Sequence, residues 1–207
     1  LAVDTNPKTL DPIAVTDTIS DGVARKIHNT LVRFNEKLEV VPDLAESFEV
    51  SPDGTLYTFK LRQNVTFHNG REMKAADAVY SFRRLLSPES KRPEWLSPMV
   101  KGSEEHKKDP KAEVGIKATG EYSLTIELNA RFAPFIQHLC TVNCAVVPRE
   151  AVEDTSKPFS RNPVGLGDNT PWWNIATGIV LLLGRYLPII GPVAIAGILA
   201  HKKYIPE

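Results

Sequence analysis

His68 and Asn69, in the run FHNG at residues 67–70, come closest by residue type to a pair of metal ligands. The five histidines, His28, His68, His106, His138 and His201, are scattered, and no two stand at ligand spacing. Asn-Gly at 69–70 supplies positive φ without steric cost, so the run reads as a turn and no metal site is expected. Cys140 and Cys144, four apart with no second pair, are no zinc signature, and two buried reduced thiols are expected. The chain has neither a G-x-S-x-G nucleophile elbow nor a phosphate-cradling loop, so neither catalysis nor a cofactor is expected. Asp17 or Thr18, in AVTDTIS at 14–20, can accept hydrogen bonds from the free amides that open a helix.

The elements that must position these groups divide by solvent. The 207 residues carry 25 basic and 25 acidic side chains, a balance that argues against a nucleic-acid-binding face. Only Arg185, Lys202, Lys203, Asp168 and Glu207 of these lie in 166–207, so the charged and apolar parts are separate segments. No N-terminal signal peptide is visible, since LAVDTNPKTLDP lacks a basic region followed by an apolar run. From Trp172 to Ala200 the one charge is Arg185, and about 20 predominantly apolar residues suffice to span a bilayer. Trp172 and Trp173 would sit at one interface and Lys202 and Lys203 at the other, so 172–200 is expected to enter a membrane as an apolar helix. Arg185, Pro188, Pro192 and the glycines make that insertion marginal, as in a segment that packs among other membrane helices.

Before that segment the pattern is mixed α and β. Ile19, Val23, Ile27 and Leu31 recur every four residues and predict a helix over 17–34. SFEVS, the turn PDG and TLYTFKLR, at 47–62, predict a hairpin with Tyr57, Phe59 and Leu61 on one face. A short strand follows at 65–67, then a helix over 74–86 with Val79, Phe82 and Leu86 inward. Residues 87–112, rich in Pro, Lys and Glu, read as an exposed loop. A second hairpin is expected over 113–128, with Tyr122, Leu124, Ile126 and Leu128 on one face. A short helix at 132–140 and a buried strand at 144–150, stopped by Pro148, complete the pattern.

The order LAESFEVSPDG, YTFKLR, FHNG and then a helix carrying Asp77, within residues 42–86, resembles the family 5 extracellular solute-binding proteins of ABC importers, the oligopeptide, dipeptide and nickel type. NPKTLDP, FAPFIQHL, VVPRE and NPVG support it. The chain departs at Lys74, where the family has a capping Thr or Ser. The resemblance covers 1–165, about the first third of such a protein, and implies an incomplete lobe of the type II periplasmic-binding-protein kind, built with antiparallel hairpins. It further implies an extracytoplasmic site, capture of an extended peptide between two lobes, and delivery to ABC permease subunits. The family's cleft is lined partly by the loop before the first helix, which here offers Thr16, Asp17 and Thr18 as acceptors for a peptide backbone or amine; Asp17 or Thr18 acting only as the helix cap is the alternative.

At Leu166 the family pattern stops. NTPWWN, LLLGRYLPII, PVAIAGILA and KK then follow in an order that resembles the C-terminal end of the potassium-translocating subunit of Kdp-type potassium ATPases. That subunit holds no nucleotide chemistry, and its potassium filter loops would lie upstream of this part. The domains expected are therefore 1–165, a partial solute-binding domain, and 166–207, a Kdp-like transmembrane tail. The chain resembles two unrelated bacterial proteins joined near Val164–Gly167, as a real fusion or as a chimeric gene model with no integrated function; the other functional reading is a fragment of a potassium-transport membrane subunit.

Overall fold

The computed structural model describes residues 6–167. The chain divides into two units, 1–167 and 168–207, and every described residue lies in the first. The expected membrane helix at 172–200 falls outside the described residues; among those described, no helix is long and apolar enough to cross a membrane.

Alternation builds the central sheet. Strands β3 (Ala45–Val50) and β4 (Leu56–Leu61) form the first hairpin, and β5 (Ile116–Gly120) and β6 (Ser123–Glu127) the second. The two join through an antiparallel β4–β6 ladder to give the order β3-β4-β6-β5. Tyr57, Phe59 and Leu61 of β4 and Leu124 and Ile126 of β6 are buried on one face, as period two requires, and Tyr122 is half-buried. Gly54 takes the positive φ of the β3–β4 turn, where Asp53 accepts from Ser51 and Thr55. Those hydroxyls hold the Asp53 carboxyl down to about 2.

Helix α2 (Ala75–Leu85) covers this face with Phe82 and Leu85, while Leu86 just beyond it is buried and Val79 packs at the margin. Lys74 provides no capping side chain, but its amide donates to Asp77 Oδ2 at 2.9 Å, so half of a capping box survives the loss of the hydroxyl. Asp77 is also gripped by both terminal nitrogens of Arg71, at 2.6 and 3.1 Å.

Four expectations need correction. Helix α1 (Thr18–Ile27) stops at Ile27 rather than running to residue 34, because His28 turns to extended backbone. Leu31 is buried outside it, and β1 (Val32–Phe34) pairs instead with β2 (Val40–Pro42) in a separate two-stranded ribbon. Ser20 and Ala24 are the buried positions of α1, whereas Ile19, Val23 and Ile27 are half-buried. The strand expected at 65–67 reduces to a single bridge, Thr66 to Glu72, because the His68–Gly70 turn reverses the chain at once.

Residues 87–112 are not an exposed loop. They hold a 3-10 turn at Pro93–Trp95 and helix α3 (Ser103–Lys108), and they bury Leu96, Val100, Ser103 and His106. Composition misled here because a few apolar side chains among many charges still enter the core. Residues 145–147 are buried and extended but join no sheet. Val146 N–H donates to Asn29 O and Val147 N–H to Ser81 Oγ, so side-chain and loop partners replace the ladder. Pro148 starts helix α5 (Arg149–Val152) rather than ending a strand. The helix expected at 132–140 is the short α4 (Phe135–His138), and Cys140 and Cys144 are free and buried, as expected.

Residues 163–167 form a strap across α1 and the 65–73 reversal. Gly167 N–H donates to Ile27 O at 2.9 Å, and His68 N–H to Gly165 O at 3.0 Å. A Cβ on Gly165 would lie 2.0 Å from Ile27 O, and one on Gly167 2.5 Å from Lys26 O, so this approach needs glycine at both positions. Val164 and Leu166 pack on the core.

Candidate functional site

The N-terminal end of α1 opens into a cavity of about 310 Å³. One wall is the loop and first turns of α1, with Val15, Thr16, Asp17, Thr18, Asp21 and Arg25. The other is Arg92 and Trp95 from the Pro93–Trp95 turn, with Thr141 and Asn143 from the segment after α4.

Each wall is fixed from behind. Asp11 caps the 3-10 turn Pro12–Ala14, and its carboxylate receives both terminal nitrogens of Arg84 from α2 at 2.5 and 2.7 Å. Buried Asn143 donates to Pro12 O at 2.7 Å and Val15 O at 3.1 Å, tying the two walls together. Asp17 is the N-cap of α1: Oδ1 accepts from Ser20 N–H and Oδ2 from Ser20 Oγ–H, both at 2.9 Å. The Ser20 amide, then its hydroxyl, hold the Asp17 carboxyl below its ordinary range.

Thr16, Asp17 and Thr18 thus line one cavity together. Asp17 also caps the helix; Thr18 does not, being the first helical residue. Thr16 and Thr18 are exposed, and their hydroxyls make no hydrogen bond among the described residues. Apart from Asp17, charge in the site is paired: Arg25 Nε meets Asp21 at 2.7 Å while its Nη1 donates to Cys140 O, and Arg92 meets Glu94 at 2.5 Å and lies over the Trp95 ring at 5.5 Å. With two free hydroxyls beside the Asp17 carboxylate, which meets only Ser20, the cavity suits a polar donor such as a backbone amide or an amine.

Sequence reasoning missed Asp21 and Arg25 on the α1 wall and the whole of the opposite wall. Asp21 and Arg25 carried the i,i+4 signal of a helical ion pair, and Arg92 and Trp95 sat in the stretch read as loop. Nothing in sequence marked Thr141 and Asn143. His68 and Asn69 lie in the turn, as expected; Asn69 donates to Glu150 and His68 holds the strap. Among the described residues, no three His, Cys, Asp or Glu side chains gather as a metal site.

A four-stranded antiparallel sheet covered by α2, with a cavity at the mouth of α1, makes a mixed α/β fold similar to that of peptide-binding proteins. The chain belongs to the bacterial extracellular solute-binding proteins of family 5, whose middle region matches residues 39–168. Residues 163–207 match the potassium-transporting ATPase A subunit, so the arrangement is chimeric and the two matches overlap at 163–168. The glutathione-binding protein GsiB of Salmonella typhimurium is 32% identical over 167 residues, 81% of this chain and 30% of that protein. The potassium-binding subunit of the potassium-transporting ATPase of Flavobacterium johnsoniae is 79% identical over 43 residues, 21% of this chain and 8% of that protein. Among solved structures, the Escherichia coli murein tripeptide binding protein MppA superposes with a TM-score of 0.71 at 28% identity, covering 80% of this chain and 33% of that one. Haemophilus influenzae OppA, in complex with the peptide RPPGFSPFR, gives 0.72 at 26%, covering 78% and 33%. The chain therefore spans about a third or less of the relatives it matches.

Proposed function

We propose that residues 1–165 are the first-lobe portion of a peptide-binding component of an ABC importer, acting outside the cytoplasm, and that 166–207 are a Kdp-like membrane segment. Binding, not catalysis, is the activity. The observation that carries this reading is the cavity at the start of α1, with free Thr16 and Thr18 hydroxyls facing paired charges, in a chain of the solute-binding family. Asp17, already committed to its helix, orients the loop more than it receives ligand. The relatives' names supply the ligand class, peptides including glutathione and a murein tripeptide.

One wall of a cleft is a weak binder. Pockets enclose about 70–90% of a ligand's surface, and one lobe offers part of that against an undiminished association cost of about 4–15 kcal/mol. The test is NMR shift mapping with glutathione and short peptides. The expected result is millimolar binding that moves the amides of 15–18, 92–95 and 141–143. Shifts confined elsewhere, or none at millimolar peptide, would overturn the reading, and saturable binding tighter than about 10 μM would overturn the weakness of the single wall.

The alternative, a fragment of a potassium-transport subunit, rests on the 79% identity over 43 residues and the family match at 163–207. It predicts membrane insertion of that segment with no peptide response in 15–18.

A further inference from the structure

We propose that His28 is an acid-sensitive latch on the strap 163–167, which His68 also holds: with the His28 ring neutral the strap is seated, and proton uptake by His28 releases it.

The hydrogen-bond partners fix the state of each ring. His68 Nδ1 stands 3.3 Å from the Gly165 amide, which can only donate, and Nε2 stands 3.2 Å from Gly167 O, which can only accept. His68 therefore holds its proton on Nε2 and a lone pair on Nδ1. His28 Nε2 is 3.1 Å from Leu10 O, so it too carries its proton there. Its Nδ1 is buried and unpartnered, 2.9 Å from where a Gly165 Cβ would be. Both rings thus turn their proton-accepting nitrogen toward the same glycine.

A second proton on His28 places an N–H with no acceptor, and a charge, in a site only 4% exposed and beside Gly165. The surrounding charges give no relief. Asp11 faces His28 but is held by Arg84, which repels the new charge, and Phe159 closes the remaining side with ring centroids 5.9 Å apart. On the reversal that carries His68, Glu150 is taken by Arg71 and Asn69, and Asp77 by Arg71.

Burial, the largest cause, pushes the His28 imidazole down from 6.5 to about 4. The seated form therefore binds fewer protons than the released form between those values. Its advantage falls about tenfold per pH unit as pH drops through that window. Most carboxylates titrate lower, which leaves the upper part of the window to histidine.

Hydrogen exchange on the full chain in detergent, corrected for the intrinsic pH dependence, tests the latch. The Gly165 and Gly167 amides should lose protection about tenfold per unit below pH 6.5 and reach free exchange while the β4–β6 ladder amides, which open only with the whole fold, remain protected. In His28→Gln, whose amide can still donate to Leu10 O, strap protection should stay level over the same range. Should that variant fail to fold, imidazole nitrogen shifts of the unaltered protein decide: His28 must take up its proton in step with strap opening. Free exchange reached at strap and ladder at the same pH, a parallel loss in His28→Gln, or a neutral His28 while the strap opens would overturn the proposal.

Discussion

Arg84 and Asp11 form a two-pronged ion pair at 2.5 and 2.7 Å, with side chains only 12% and 14% exposed. It anchors the loop that leads to the cavity onto the back of α2. Removing one member leaves the other charge nearly buried and alone. Asp11→Ala should therefore lower stability by about 3 kcal/mol, read from urea unfolding. Replacing both residues together with Leu and Met should restore most of that loss; a double variant as unstable as the single would show that the pair's worth lies in its geometry.

Two glycines predict opposite signs. Gly22 lies inside α1, and a Cβ there meets nothing within 4 Å, so Gly22→Ala should stabilise by about 0.5–1 kcal/mol. Gly165→Ala drives a methyl into Ile27 O and should cost about 1–3 kcal/mol or unseat the strap. Thermal unfolding of the two variants side by side checks both signs.

Acid should act in two stages. His28, lowered from 6.5 to about 4 by burial, favours the folded chain fully above pH 6.5, and this contribution, about 3 kcal/mol, is lost as pH falls toward 4. Asp53, lowered from 3.8 to about 2 by the Ser51 and Thr55 hydroxyls, stabilises above pH 3.8, and that share disappears only as pH drops through 2. In Asp53→Asn the second stage should shrink and the first persist. Denaturant midpoints across pH 2–8 measure this.

The strap sets where the chain can be cut. A chain ending at Gly167 should be soluble without detergent, since the apolar run 172–200 is gone. One ending at Asn162 loses the half-buried Val164 and Leu166 and the Gly167–Ile27 hydrogen bond, and should be less stable by about 2 kcal/mol. Equal stability of the two would mean that the strap contributes nothing.

The two hairpins and α2 were legible because their signals are local: alternation through Tyr57–Leu61 and Leu124–Ile126, a PDG turn, and helical spacing ending in buried Phe82 and Leu86. The errors arose where a distant partner decides. Leu31 keeps the helical period of Ile27 yet is buried beyond the helix end, and Val146–Val147 read as a strand although Asn29 and Ser81 supply their partners. In the site, Thr16, Asp17 and Thr18 followed from the family resemblance. The facing Arg92 and Trp95 stayed hidden because a charged, proline-rich composition says nothing of which few side chains turn inward.

The strand order β3-β4-β6-β5 has a kinetic side. Each hairpin closes over a handful of residues, whereas the β4–β6 ladder joins Leu56–Lys60 to Ser123–Glu127 across α2 and the Pro-rich stretch. Closing that long loop comes before its contacts reward it, so it is the slow step. A chain emerging from its N-terminus holds one ribbon and one free hairpin, with the apolar face of β4 open to water, until β6 has followed. Any factor that escorts it before then meets an exposed stripe of Tyr57, Phe59 and Leu61, and completion of the sheet is what withdraws that stripe from further handling.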